Sequence, residues 1–155
     1  VTVVGVPDVP GAAAKIFKIV ANTNANVDMI VQNVSAAATG RTDISFTVPM
    51  ADGERALTAL SHEQAAIGFT SLQYDDQIGK LSLVGNAMRS ATGVSATLFE
   101  ALYNAGINIE MISTSEIRIS VVTRADSVQA AAAAVHTAFE LDGDDDAVVH
   151  AGTGR

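Results

Sequence analysis

The chain contains two copies of one unit, and this constrains its fold more than any single motif does. With Gly11 set on Gly93, an offset of 82 residues, Ala14 meets Ala96, Phe17 meets Phe99, Asn22 meets Asn104 and Asn26 meets Asn108. Met29-Ile30 then meets Met111-Ile112, and Ile16/Leu98, Val20/Leu102 and Asp28/Glu110 are near matches. Further on, Ile44-Ser45 matches Ile119-Ser120 at an offset of 75, so the second copy is shorter between its middle strands. The 155 residues are therefore expected to hold two small related domains, divided at 1–76 and 77–155.

Each copy reads as strand, helix, strand, strand, helix, strand. In the first, residues 1–6 are apolar and β-branched, and from Gly11 to Asn24 the residues Ala13, Ile16, Phe17 and Val20 recur at helical spacing. Val27 to Ser35 and Arg41 to Val48 form a hairpin, with Thr42, Ile44, Phe46 and Val48 on one face. Asp52 is a candidate N-cap for the second helix, with Ala56, Leu57 and Leu60 inward and an end near Gly68. Phe69 to Tyr74 returns as a strand. The second copy predicts strands at Lys80–Gly85, Ile107–Ser113, Ile117–Thr123 and Ala147–His150. Its helices are Val94–Ala105, with Leu98, Leu102 and Ala105 at core spacing and Gly106 as left-handed cap, and one capped by Asp126 with Val128, Ala132, Val135 and Phe139 inward. The fold class is α+β: two tandem ferredoxin-like βαββαβ domains, each an antiparallel sheet with both helices on one face. The other face of each sheet needs a cover, either the other unit or another chain, so a homodimer is expected. The closing strand Ala147–His150 could also cross back to the first domain.

Composition narrows the functions. The formal charge is −8 and the nine Lys and Arg are scattered, which argues against a nucleic-acid face. The chain has no Cys, which excludes disulfides, thiolate zinc sites and Cys nucleophiles and fits a reducing, cytoplasmic setting. No apolar run reaches the roughly 18 residues of a membrane span, and no signal-peptide pattern is present. Val1 already reads as strand, so the chain is expected to begin inside a longer polypeptide. His62, His136 and His150 lack metal-ligand spacing, and Ser113-Thr114-Ser115 has no His with a supporting acid nearby. Asp142, Asp144, Asp145 and Asp146 lack the spacing of a calcium loop and read as a solvated turn. No metal, cofactor or catalytic set is expected in this chain.

What remains is the loop before each first helix. Val3 to Gly11 is a strand, a Pro/Gly loop carrying Asp8, and a helix start. Free N–H groups at a helix start suit a carboxylate, and Asp8 suits an ammonium group; together these are the two ends of an amino acid. Taken alone, Pro10-Gly11 is ordinary turn punctuation and Asp8 an Asx turn or cap. The amides of Asn26-Val27-Asp28-Met29-Ile30 and Asn108-Ile109-Glu110-Met111-Ile112 open the strand beside each loop, with Gln32 further along. If two units pair sheet to sheet, the loop of one faces the strand of the other.

These residues resemble a known family. A strand, a Pro-Gly loop with a nearby Asp, a helix and Asn-(Val/Ile)-(Asp/Glu)-Met-Ile is similar to the ACT domain, a small-molecule sensor. The stretches Asp28 to Ser35, Thr42 to Thr47, Ile112 to Ser120 and Ala151 to Arg155 resemble the tandem ACT region of bacterial aspartate kinase, most closely its separate regulatory (β) subunit. The resemblance implies feedback control of the first step of lysine, threonine and methionine synthesis. Threonine, with lysine in the concerted type, would bind between the first unit of one chain and the second unit of another. It carries effector contacts onto Asp8, Gly11, Ala12, Ala13, Gln32, Asn108 and Ile109, and a mirrored site onto Asn26, Val27, Gly93, Val94, Ser95 and Ser115. The second loop is two residues longer and holds no acid, which leaves that site to bind weakly, to take another ligand or to stay empty. ATP, Mg and catalysis would belong to a separate catalytic (α) subunit. The rival reading is a structural dimerisation module without a ligand.

Overall fold

The computed structural model describes residues 1–35, 37–85 and 92–141. The first unit runs β1 (Thr2–Pro7), α1 (Ala12–Asn22), β2 (Ile30–Gln32), β3 (Arg41–Phe46), α2 (Met50–His62), α3 (Gln64–Ile67) and β4 (Ser71–Gln73). The second runs β5 (Ile78–Val84), α4 (Val94–Asn104), β6 (Met111–Thr114), β7 (Arg118–Arg124), a 3₁₀ turn (Ala125–Ser127) and α5 (Val128–Ala138). The first sheet has the order β2-β3-β1-β4 and the second β5-β7-β6, every pairing antiparallel. Two ACT-like βαββαβ units are thus present. The fourth strand expected at Ala147–His150, its crossing back to the first domain, and the aspartates at 142–146 lie outside the described residues.

The repeat read from the sequence is also a repeat of register. Gln32 stands opposite Ile44, and Thr114, 82 residues after Gln32, stands opposite Ile119, 75 residues after Ile44. The hydroxyls of Thr2 and Ser45 meet at 2.8 Å across β1 and β3, and those of Ser82 and Ser120 meet at 2.8 Å across β5 and β7.

Alternation decides what each unit buries. On β3, Thr42, Ile44 and Phe46 are buried and face α1 and α2, whose Ile16, Val20, Ala56 and Leu60 complete the first core. Phe17 meets Phe46 edge to face, with ring centroids 5.5 Å apart. In the second core, Leu98 and Leu102 of α4 and Ala131 and Val135 of α5 pack on Ile119 and Val121 of β7. The two cores share no residue. Several local expectations shift. Helix α2 starts at Met50 behind Pro49, so Asp52 sits in its first turn bonded to Arg55 instead of capping. Ser127 occupies the N-cap position of α5 and Asp126 lies in the 3₁₀ turn before it. Ala105 is the exposed C-cap of α4, not a core residue, because the helix ends one residue earlier. Ala12 and Ala131 are buried where their neighbours Ala13 and Ala132 are only half-buried.

The sheet faces without helices turn toward one another. Val122 of β7 and Met29 just before β2 are buried and belong to neither core. They lie in a seam between the units that is crossed by open clefts. One, about 420 Å³, lies between Thr2, Ser45 and Tyr74 on one side and Glu110, Met111 and Val122 on the other. Another, about 340 Å³, has Asn26 and Thr47 facing Ile78, Lys80 and Val122. Val121 and Val122 are adjacent and equally buried, yet only Val121 points into a close-packed core. Val121→Ala is expected to cost about 2 kcal/mol and Val122→Ala about half of that, because the seam around Val122 is already loosely packed. Urea midpoints of the two variants check this.

Candidate functional site: two glycine-capped loops and the seam between the units

Both candidate loops enter their helices through the same backbone device. Gly11 precedes α1 with φ 90° and Gly93 precedes α4 with φ 97°, a left-handed conformation that a side chain disfavours. Neither helix has a side-chain cap, and nothing lies within 4 Å of where a Cβ would stand on Gly11 or Gly93, although the Ala12 N–H already donates to the Val9 carbonyl at 3.2 Å. This is the geometry in which a small anion meets the positive end of a helix dipole.

In the second unit this surface forms a cleft of about 430 Å³, with Gly93, Val94, Ser95 and Ala96 on one side and Thr114, Ser115 and Ile119 on the other. Four of the six residues of the mirrored set, Gly93, Val94, Ser95 and Ser115, are therefore together. The other two are elsewhere: Asn26 lines a seam cleft and Val27 packs on the first core. Thr114, Ala96 and Ile119 were not expected as site residues from the sequence. The offset of 82 that relates Gln32 to Thr114 was the signal that could have found the first of them.

The first set is divided between the units. Asp8 is exposed, its N–H donating to the Gly40 carbonyl at 2.9 Å, and Gly11 is exposed at the turn. Ala12 is buried against the first core, Ala13 is half-buried, and Gln32 lies exposed on the edge strand β2. Asn108 is exposed and Ile109 packs on the second core. One chain thus carries the loop half of such a site in its first unit and the strand half in its second.

Charge is concentrated at the seam. Lys80 of β5 pairs with Asp28, joining the two units. Arg124, at the end of β7, grips Asp75 through both terminal nitrogens and also reaches Glu110 at 3.4 Å. The Arg124 guanidinium holds the Asp75 carboxyl below the usual carboxylate range, helped by the Gln77 amide, and Asp75 raises Arg124 in return. Among the described residues no group of three or more His, Asp or Glu is placed to hold a metal ion. No helix among them is long and apolar enough to cross a membrane.

Comparison with known proteins gives the family. Residues 1–64 and 81–139 match the ACT domain profile. The aspartokinase of Mycolicibacterium smegmatis is 56% identical over 155 residues, all of this chain and 37% of that protein. The regulatory subunit of aspartate kinase from Thermus flavus is 43% identical with a TM-score of 0.79, covering 89% of this chain and 90% of that one. The chain is an ACT-domain regulatory region of the aspartate kinase family. A crystal structure of aspartokinase alpha and beta subunits also contains a chain 47% identical to this regulatory region, with a TM-score of 0.81 and 90% of each chain covered. The regulatory chain spans just over a third of the length of the curated aspartokinases that it matches.

The Asp75–Arg124 pair makes a pH prediction for this regulatory chain. A carboxyl lowered in the folded state adds stability that is complete above its unfolded value and is lost as the pH falls through the folded value. The Asp75→Asn variant should therefore lose less stability than the wild type between pH 6 and pH 2.5. Urea titrations at the two pH values check it.

Proposed function

We propose that this chain is the amino-acid sensor of an aspartate kinase and carries no catalysis of its own. Threonine, with lysine in concerted feedback, is the effector. The carboxylate of threonine sits at the Gly11 helix start, where amides and dipole favour it, and Asp8 takes its ammonium group. Backbone groups of Asn108 and Ile109 from the second unit of another chain close the pocket, so the working form is a homodimer. The observation that carries this reading is the pair of capless, glycine-led helix starts, one of which already lines an open cleft, in a chain similar to aspartate kinase regulatory subunits. The second cleft at Gly93, Val94, Ser95 and Ser115 is a further effector position.

The catalytic partner is a separate aspartate kinase subunit in the cytoplasm, where ATP and Mg are bound and the first step of lysine, threonine and methionine synthesis is catalysed. Effector binding reaches that subunit only if threonine favours one arrangement of the two units over another. The open seam between the separate cores allows such rearrangement without disturbing either core.

Calorimetry of the chain with threonine tests the reading. Binding at millimolar ligand or below is expected, whereas a dimer that gives no binding heat would leave only a dimerisation module. Asp8→Ala should weaken threonine about tenfold or more, the size of a lost charge-assisted contact. Asp28→Ala should leave affinity within about twofold, because the Asp28 carboxylate is taken up by Lys80.

A further inference from the structure

The two loops leave their sheets differently, and a pair of charged side chains accounts for the difference. Gly5 stands six residues before Gly11 and Gly85 stands eight before Gly93, so the two glycines are equivalent, the second loop being two residues longer. Strand β5 pairs with β7 without interruption from Ile78–Arg124 to Val84–Arg118, and the Gly85 N–H donates to the Ile117 carbonyl at 2.9 Å. Strand β1 does not follow this pattern. Its register against β3 slips between Val3, opposite Ile44, and Val6, opposite Thr42, a bulge centred on Gly5 at φ 65°.

At that bulge side chains replace the ladder. The Gly5 N–H donates to Oδ1 of Asp43 at 2.8 Å. Arg41 donates from Nη1 to the Gly5 carbonyl and, at 2.8 Å, to the Gly68 carbonyl, tying the bulge to the end of α3. Gly5 also touches Thr70 so closely that a Cβ would stand 2.3 Å from the threonine hydroxyl. Three residues on, the Asp8 N–H bonds to Gly40, next to Arg41. At the offset of 75, Glu116 stands in place of Arg41 and Arg118 in place of Asp43, so the charges are exchanged in the second unit.

We propose that Asp43 and Arg41 are positioning residues of the first effector loop: they hold the Gly5 bulge and so set where Asp8 stands. The proposal rests on the threonine reading for the purpose of the loop, and on the bulge geometry alone for the clamp. It explains why the unit with the acid-bearing loop is also the one with the bulge. Bulges re-aim the chain that follows them, and a carboxylate acceptor substitutes for the missing carbonyl.

Amide hydrogen exchange of the 155-residue chain, read by nuclear magnetic resonance, tests the clamp without any ligand. In Asp43→Ala, exchange at Gly5 and Asp8 should accelerate about tenfold relative to Gly85, the size expected for one lost hydrogen bond. Asp43→Asn, whose amide oxygen still accepts from Gly5, should restore nearly wild-type protection. Arg41→Ala, at an exposed position, should give the same pattern in a variant that keeps Asp43. Unchanged exchange at Gly5 and Asp8, or equal acceleration at Gly85, would overturn the proposal. Threonine calorimetry on the same proteins separates the two claims. Asp43→Ala should bind about tenfold more weakly and Asp43→Asn nearly as wild type, whereas a wild type that gives no heat overturns the effector reading and leaves the exchange result to decide the clamp.

Discussion

Everything in this structure depends on what covers the second face of each sheet. An antiparallel sheet with helices on one side has an opposite face that must be solvated or packed. Here β7 shows the consequence: Val121 is buried by its own helices and its neighbour Val122 is buried against the other unit. The cover is partial. Met29 and Val122 exclude water locally, Lys80–Asp28 and Arg124–Asp75 pin the edges, and clefts run between them. The ion pairs are substantially exposed, so their own contribution is small and salt-sensitive. The seam is accordingly a contact between two finished cores, held by few interactions.

The loops are products of the same duplication. A left-handed glycine before a helix appears twice, at equivalent places in the two units, and the second of them lines a cleft with Thr114, Ser115 and Ile119. They have diverged in chemistry more than in frame. Asp8 and the Gly5 bulge belong to one; the open cleft beside Ser95 and Ser115 belongs to the other.

Much of this was legible in the sequence. The offset of 82 residues survives as strand register, because each hairpin alternates between a core face and an open face and a slip of one residue would reverse them. Gly106 was legible too, since glycine takes a positive φ without the cost a side chain adds, and it follows α4 at φ 70° as expected. What the sequence did not reveal was set by tertiary context. Asp52 and Asp126 looked like caps because acids favour helix starts wherever they stand in the first turn. Ala12 against Ala13, and Ala131 against Ala132, differ by a rotation of one residue that apolar periodicity in an alanine-rich helix does not resolve. Ile117 to Thr123 was expected only as a hairpin strand; Ile119 to Thr123 are buried throughout, with Val121 in the second core and Val122 against the other unit. Of the candidate site, the loop residues were legible, but the pairing of Asp28 with Lys80 and the Asp43 clamp join positions 52 and 38 residues apart.

The strand order of the first sheet has a bearing on synthesis. Among the described residues, the four strands of this sheet and every residue of its core cluster come from before Gln77. The unit can therefore close its sheet while the second is still being made on the ribosome. From then on it presents a finished surface, including Met29, against which the later unit docks. In this arrangement the loop with Asp8 is built first, and the seam with the second unit forms last.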